Sequence, residues 1–489
     1  MRLTKLILEQ FRNYQKLELD FDPAEPMTYI VGPNAQGKTN ILESIYLLAL
    51  TKSFRTAKQQ DMIGWSSEFA RVKGFFEVGD AANQADSIHE LDSGRPKARP
   101  ASPAGSATPS SRTASNAASL ADFAGSAESI AVTDNPISSN NSAKFSSAAQ
   151  NQPIELEAFL GKPPHPQKAF KKNGVKISAT NFIGNCQVVF FHPEDLNMLY
   201  LGPELRRNYL NVINVQTNRK YFSALRSYQK ILKQRNALLR AIATSRLTKM
   251  QSLTSAQEDE LNIWDEQLVE HGSYLMFERA KTVQYFQNRL TATYQKISQG
   301  NEKVSMNYRH TLHKDFSVTG AASSQAAQYK NEDHDFADTD GKITSLVAAE
   351  THFAQALAGA RARDLLALVT TVGPHRDDLD FTLNDLSLSA LASRGEYRSL
   401  LLALKLIELN FFEDRTHQKP LLLLDDVFSE LDPARQNLLL QAIEGHQTII
   451  TTTHIAESKE SNANSRRHQS LRPGKFLKIQ QGFIHSSIE

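Results

Sequence analysis

A short apolar run, Met27–Val31, opens directly into Gly32-Pro33-Asn34-Ala35-Gln36-Gly37-Lys38-Thr39, and a helical pattern with Ile41, Ile45 and Leu48 on one face follows at once. Strand, glycine loop and helix in that order leave few folds open. Glycines let the main chain wrap until its N–H groups converge, and the helix start adds partial positive charge, so the loop is shaped for phosphate. The octet fits G-x-x-x-x-G-K-[ST], the Walker A pattern, at every fixed position. Its chemistry assigns Gly32, Pro33, Asn34, Ala35, Gln36, Gly37, Lys38, Thr39 and Asn40 to ATP. Lys38 is expected at the β- and γ-phosphates, and the Thr39 hydroxyl at Mg2+.

The partner motif lies far downstream. Leu421-Leu422-Leu423-Leu424 reads as a buried strand ending in Asp425-Asp426, and is expected beside the strand that feeds the glycine loop. Asp425 is the expected metal-side acid, and Asp426 is placed to polarise an attacking water. Ser393-Arg394-Gly395-Glu396 stands just before a helical pattern, ahead of the Leu strand. A Ser393 hydroxyl and a Gly395 N–H at a helix start can clamp an anion. Ser429-Glu430-Leu431-Asp432 resembles the D-loop of ABC ATPases, and His454, after a Thr/Ile strand, stands where a γ-phosphate sensor is expected. The fold class is therefore α/β, an ABC-type P-loop ATPase head with a mixed sheet.

Between these motifs the pattern is helical. Residues 204–250 and 254–298 carry apolar side chains at three- and four-residue spacings, such as Tyr221, Leu225, Tyr228 and Leu232. A head spanning 1–203 with 367–489, interrupted by a helical arm at 204–366, is the expected organisation. Residues 81–152 form a Ser/Ala-rich insertion too poor in apolar area to offset the entropy of ordering it, and 321–341 is a second polar stretch. Strands are expected at 379–383 and 386–388 around an Asn384-Asp385 turn, helices at 398–412 and 433–445, and a strand at 448–453. Cys186 is the only cysteine, which excludes an intrachain disulfide framework and fits a reducing compartment. With no apolar run near the roughly 20 residues of a membrane span, a soluble cytoplasmic protein without a membrane partner is expected.

The formal net charge is only +2, yet residues 204–249 carry eleven basic side chains against the single acid Glu204. Arg206, Arg207, Arg219, Lys220, Arg226, Lys230, Lys233 and Arg235 in that span are the expected phosphate contacts to DNA, which read structure rather than sequence. Gly373-Pro374-His375-Arg376-Asp377-Asp378 offers acid and base groups, but Gly-Pro and Asp between strands more commonly build a turn.

Taken together, these segments resemble the RecF family. The resemblance runs from Phe11-Arg12-Asn13-Tyr14 through the Walker A loop to Thr51-Lys52-Ser53-Phe54-Arg55, and resumes at Phe191-His192-Pro193-Glu194-Asp195-Leu196. Arg206-Arg207, Gln234-Arg235-Asn236, the 373–378 segment and the stretch from Leu423 to Asp432 are similar to the family pattern as well. Arg394-Gly395-Glu396 departs from the family's Gln-Gly-Gln, and the 81–152 insertion has no counterpart in the usual pattern. The resemblance implies an SMC-like head without a long coiled coil. It also implies ATP-dependent homodimerisation, binding at gaps and single-/double-strand junctions, and work with RecR and RecO in loading RecA. An ABC subunit of a membrane transporter and an architectural protein acting through its insertion are the competing readings; the basic arm opposes the first.

Overall fold

The computed structural model of the chain describes residues 1–77, 153–164, 167–249, 253–312, 343, 345–388, 392–453, 474–480 and 483–485. The two polar stretches at 81–152 and 321–341, and His454, lie outside them. The first elements are β1 (Arg2–Phe11), β2 (Tyr14–Asp20), β3 (Met27–Val31), α1 (Lys38–Leu50), β4 (Phe69–Glu77), β5 (Ile154–Gly161), β6 (Lys168–Lys172), β7 (Val175–Ile177), α2 (Ala179–Phe182) and β8 (Val188–Phe191). Then come α3 (Asn197–Tyr200), α4 (Pro203–Thr217), α5 (Arg219–Lys249), α6 (Ser255–Ser298), β9 (Val304–Arg309), α7 (Leu346–Ala367), β10 (Asp378–Leu383), β11 (Leu386–Ser387) and α8 (Arg394–Thr416). The chain closes with β12 (Leu421–Asp425), α9 (Val427–Glu430), α10 (Pro433–Ala442), β13 (Thr448–Thr452), β14 (Lys475–Gln480) and β15 (Phe483–His485). Two compact units result, 1–193 with 409–489, and 194–408.

The first unit holds two six-stranded sheets. One, in the order β15-β14-β3-β13-β12-β8, is parallel except for the β14–β15 hairpin; the other, β2-β1-β4-β5-β6-β7, is antiparallel throughout. Parallel strands covered on both faces read as unbroken apolar runs, and β3, β8 and β12 are buried along their whole length. α1 packs against strands of both sheets, so Ile41, Leu42, Ile45, Leu47, Leu48 and Leu50 are all fully buried rather than one face alone. One expectation needs correction. The Leu strand β12 does not neighbour β3: β13 is hydrogen-bonded between them, and β14 takes the other side of β3.

The second unit is helical with a small sheet. The helical pattern at 204–250 is two helices, α4 and α5, broken at Asn218, whose side chain accepts from the Tyr221 N–H (3.0 Å). α6 begins with a capping box, in which Thr254 and Gln257 each satisfy the other's main-chain N–H. β10 and β11 pair across the Asn384-Asp385 turn, both residues left-handed as a two-residue hairpin requires. β9, not anticipated from the sequence, pairs antiparallel with β10 and completes a three-stranded sheet. That pairing keeps residues 378–387 with the helices of 194–408.

A candidate nucleotide site and a basic helix face

The Walker A loop is braced from behind by the turn between β1 and β2. Asn13 donates to Gln36 O (3.2 Å) and accepts from the Asn40 amide (2.7 Å), and the Tyr14 hydroxyl donates to Gly37 O (3.0 Å). Arg12 grips the Glu43 carboxylate of α1 through Nε (2.9 Å) and Nη2 (2.6 Å), and Ser53 donates to the same carboxylate (2.5 Å). Glu43 is fully buried, so this pairing is what makes its charge tolerable. Arg55 reaches back to Asn40 Oδ1 (2.8 Å). The Phe11-Arg12-Asn13-Tyr14 and Thr51-Lys52-Ser53-Phe54-Arg55 segments thus build one bracket around the loop. Gly37 has to be glycine: its φ is 100°, and a Cβ would lie 2.5 Å from Asn13 Nδ2 and 2.8 Å from the Tyr14 hydroxyl.

In front of the loop, two distant segments meet. Thr39 Oγ1 lies 2.9 and 3.0 Å from the two carboxylate oxygens of Asp425, across 386 residues of sequence. The Thr451 hydroxyl donates to Asp425 Oδ1 (2.6 Å), and His192 Nε2 stands 3.5 Å from Oδ2. His192, just after β8, completes a three-ring cluster with Phe190 and Phe54, with centroids 5.6 and 5.7 Å away. Lys38, 7% exposed, donates to Gly32 O (2.6 Å) and Pro33 O (2.8 Å). Burial pushes its ammonium below the ordinary lysine value, while Asp426 and Asp425 pull it back. Asp426 is left-handed (φ 52°), with its N–H bonded to Thr451 O and Oγ1, both 3.1 Å away. Asp432 serves as the N-cap of α10.

Hydroxyl and carboxylate oxygens at a strand tip suit a hard divalent cation. Among the described residues no group of three or more His, Cys, Asp or Glu gathers as a metal cage.

Ser393 and Gly395 belong to the second unit. Ser393 caps α8: its hydroxyl accepts from the Glu396 N–H (3.3 Å), and the Glu396 carboxylate accepts from the Ser393 N–H (2.6 Å). The glutamate that departs from the family pattern is therefore half of a capping box.

The basic segment divides by helix face. Tyr221, Tyr228, Arg235 and Ile242 recur every seven residues and are all buried. Arg235 is 0% exposed and is held by Asp265 (2.6 Å), Asp364 (2.7 Å) and Thr370 (2.9 Å). Arg206 makes a two-pronged pair with Asp378 (2.6 and 2.9 Å), and Arg207 donates to Asp377 O (2.8 Å). Arg235 is thus corrected from a surface contact to an internal tie that its buried carboxylates demand, while Arg206 and Arg207 are half-buried and tied to the 377–378 turn. Arg219, Lys220, Lys230, Lys233 and Arg240 are exposed and Arg226 is half-buried. The series 219, 226, 233 and 240 sits two positions from the buried series, about 200° around the helix, so the cations line the opposite face.

The 373–378 segment is tied tightly into the second unit. Gly373 (φ 119°) would bring a Cβ to 2.6 Å from the Tyr228 hydroxyl. His375 Nε2 donates to Thr370 O (3.0 Å), and Nδ1 lies 2.7 Å from the Tyr228 hydroxyl. Burial pushes His375 down to about 4, and pushes Asp377 up to about 6 against the pull of Arg279 and Tyr308. Between those values the folded unit keeps a proton on Asp377 that the unfolded chain has lost, so stability falls as pH rises. It also lacks a proton on His375 that the unfolded chain has gained, so stability rises with pH. The two slopes oppose each other over about pH 4 to 6. Denaturant titrations across that range should show, relative to the parent, His375→Gln losing stability as pH rises and Asp377→Asn gaining it. Identical slopes in all three would refute the assignment.

The strand–loop–helix with Lys38 and Thr39 facing Asp425, set in a parallel sheet, defines an ABC-type P-loop ATPase head, accompanied by a helical region. The family model for the RecF/RecN/SMC N-terminal domain matches residues 2–107. A DNA replication and repair protein RecF from Halalkalibacterium halodurans is 30% identical over 488 residues, 99% of each chain. One from Bacillus cereus (strain G9842) is 28% identical over 490 residues, the full length of both. Among solved structures, the recombination mediator protein RecF with ATP, in the RecFOR pathway, superposes with a TM-score of 0.70 at 25% identity, covering 100% of this chain and 97% of that one. The chain belongs to the RecF family.

Proposed function

We propose that the chain is an ATP-dependent DNA-binding protein of recombinational repair and replication restart. ATP draws two copies together on gapped or junction DNA, helping RecA load on the single strand, and slow hydrolysis releases them. The observation that carries this reading is the meeting of Thr39 and Asp425 beside Lys38. Family membership supplies the context: the relatives are DNA replication and repair proteins, and one solved relative is a recombination mediator with ATP in the RecFOR pathway.

Residues Gly32 to Asn40 would cradle the phosphates. Lys38 has a third N–H beyond the two given to Gly32 O and Pro33 O, and it would serve a phosphate oxygen. Thr39 and Asp425 would hold Mg2+, which when bound neutralises phosphate charge. Thr451 and His192 would keep the Asp425 carboxylate turned toward it. Asp426 would orient the attacking water. It is one methylene shorter than the glutamate many ABC ATPases use there, which favours weak, DNA-stimulated turnover. Ser393 and Gly395 would close on the nucleotide of the other copy, and His454 would sense its γ-phosphate. RecR and RecO are the expected partners and the cytoplasm, at the nucleoid, the expected place; among the described residues no helix is long and apolar enough to cross a membrane.

Glu396→Gln keeps an acceptor for the Ser393 N–H but removes a negative charge from the turn that meets phosphate. It should tighten ATP-dependent dimerisation severalfold by sedimentation; weaker association would contradict the clamp role.

Exposed cations on α5 give a separate test. Lys230→Ala with Lys233→Ala should weaken binding equally on all sequences and lower the salt slope of log K by about 2, close to 0.9 per lost phosphate contact. Binding to gapped and continuous duplex, with and without ATP, is the experiment for the whole reading. ATP-independent binding without preference for the gap would overturn it.

A further inference from the structure

Trp65 is 100% exposed, more than any other large hydrophobic among the described residues. It sits at the second position of a turn closed by the Ser67 N–H donating to Gly64 O (3.0 Å). Turn positions normally take Gly, Pro, Asn, Asp or Ser, so nothing in the local backbone calls for an indole there. Mobility does not account for it either. Met62, Ile63 and Ser67 around it are buried, the Gly64 N–H donates to Gln10 O (2.7 Å), and the Arg12 N–H donates to Met62 O (2.9 Å). The Lys162 ammonium holds Gly64 O (3.2 Å) and Trp65 O (3.5 Å) from the far side. A large flat apolar ring is held out into water on a rigid mount.

Cations outnumber acids along the turn and the segments that hold it. Arg55 and Lys58 are exposed on the segment leading to the turn, and the Lys162 ammonium is bonded to its main chain. Asp61 and Glu68, the two acids nearby in sequence, are exposed as well, and Asp61 accepts from the Thr56 hydroxyl (2.5 Å). We infer that Trp65 stacks on a nucleobase laid bare where single-stranded DNA meets duplex. The inference rests on the DNA-binding reading above and names the residue that reads the junction. Phosphate contacts follow any strand alike, whereas an intact duplex shows base edges only in its grooves. A stacking face exists at an unpaired base or a strand end, and one aromatic ring can hold it. Arg12 ties the same segment to the helix that follows the nucleotide loop: it bonds Met62 O and Asp61 O on one side and Glu43 of α1 on the other.

The chain has two tryptophans, so Trp264→Phe leaves Trp65 as the only indole reporter. Titrating that full-length protein with gapped DNA should quench its emission by half or more, while a relaxed, covalently closed circular duplex without ends, loops or gaps should not. Trp65→Ala should lose about tenfold in affinity for gapped DNA and little for the closed circle, and Trp65→Phe should restore most of the difference. If the parent binds gapped DNA while Trp65→Ala keeps the same gapped-to-closed-circle ratio, or the emission stays unchanged on saturation, the inference fails alone. If the parent binds neither DNA, the underlying reading fails with it.

Discussion

Lys38→Ala should weaken ATP binding by about a hundredfold and abolish any effect of ATP on assembly. A charge-assisted hydrogen bond to phosphate contributes roughly 3 kcal/mol, which is that factor in Kd. The side chain is well placed for the effect: it is 7% exposed, held at the mouth of the loop by Gly32 O and Pro33 O, and under the pull of Asp425 and Asp426. Isothermal titration with ATP and Mg2+ reads the change directly. Thermal unfolding without nucleotide serves as the control, since the two carbonyls become accessible to water when the lysine is removed. A variant that binds ATP as the parent does would refute the assignment of the loop.

Arg235→Ala should destabilise the second unit by about 3–5 kcal/mol, the cost of leaving buried carboxylates without their cation. Asp364 is fully buried, Asp265 nearly so, and Arg235 lies between them while also donating to Thr370. Arg361 holds the second oxygen of Asp265 (2.6 Å) and would only partly compensate. Lys233→Ala, two residues away on the exposed face, should change stability by less than about 0.5 kcal/mol. Urea denaturation of both variants separates the two faces of one helix. Equal and small effects would show that the arginine is not a structural tie.

That contrast shows what could be read from the chain. Eleven basic residues in one span suggest a single surface, yet Arg235 recurs with Tyr221, Tyr228 and Ile242 at seven-residue spacing, and that register was the available sign that it faces inward. The nucleotide loop was legible because its chemistry fixes residue types at fixed separations within eight positions. The bracket behind it was not. Arg12 meets Glu43 and Asn13 meets the Gln36 carbonyl only after β1 and β2 have folded back, and no local pattern encodes the meeting. The position of β12 two strands from β3, and of His192 beside Asp425, follows from pairing among segments hundreds of residues apart. β9 alternates Val304, Met306 and Tyr308 as a strand should, but its partner β10 lies beyond α7, so nothing nearby announced the pairing.

In the proposed function a triphosphate held at Lys38 joins two copies of this chain on DNA. Mass measured in solution on ATP-saturated protein with gapped DNA, by light scattering or sedimentation, tests it most directly. Two protein copies per DNA with ATP, and one with ADP or with Lys38→Ala, is the expected result. A complex that holds a single copy whatever the nucleotide would contradict it.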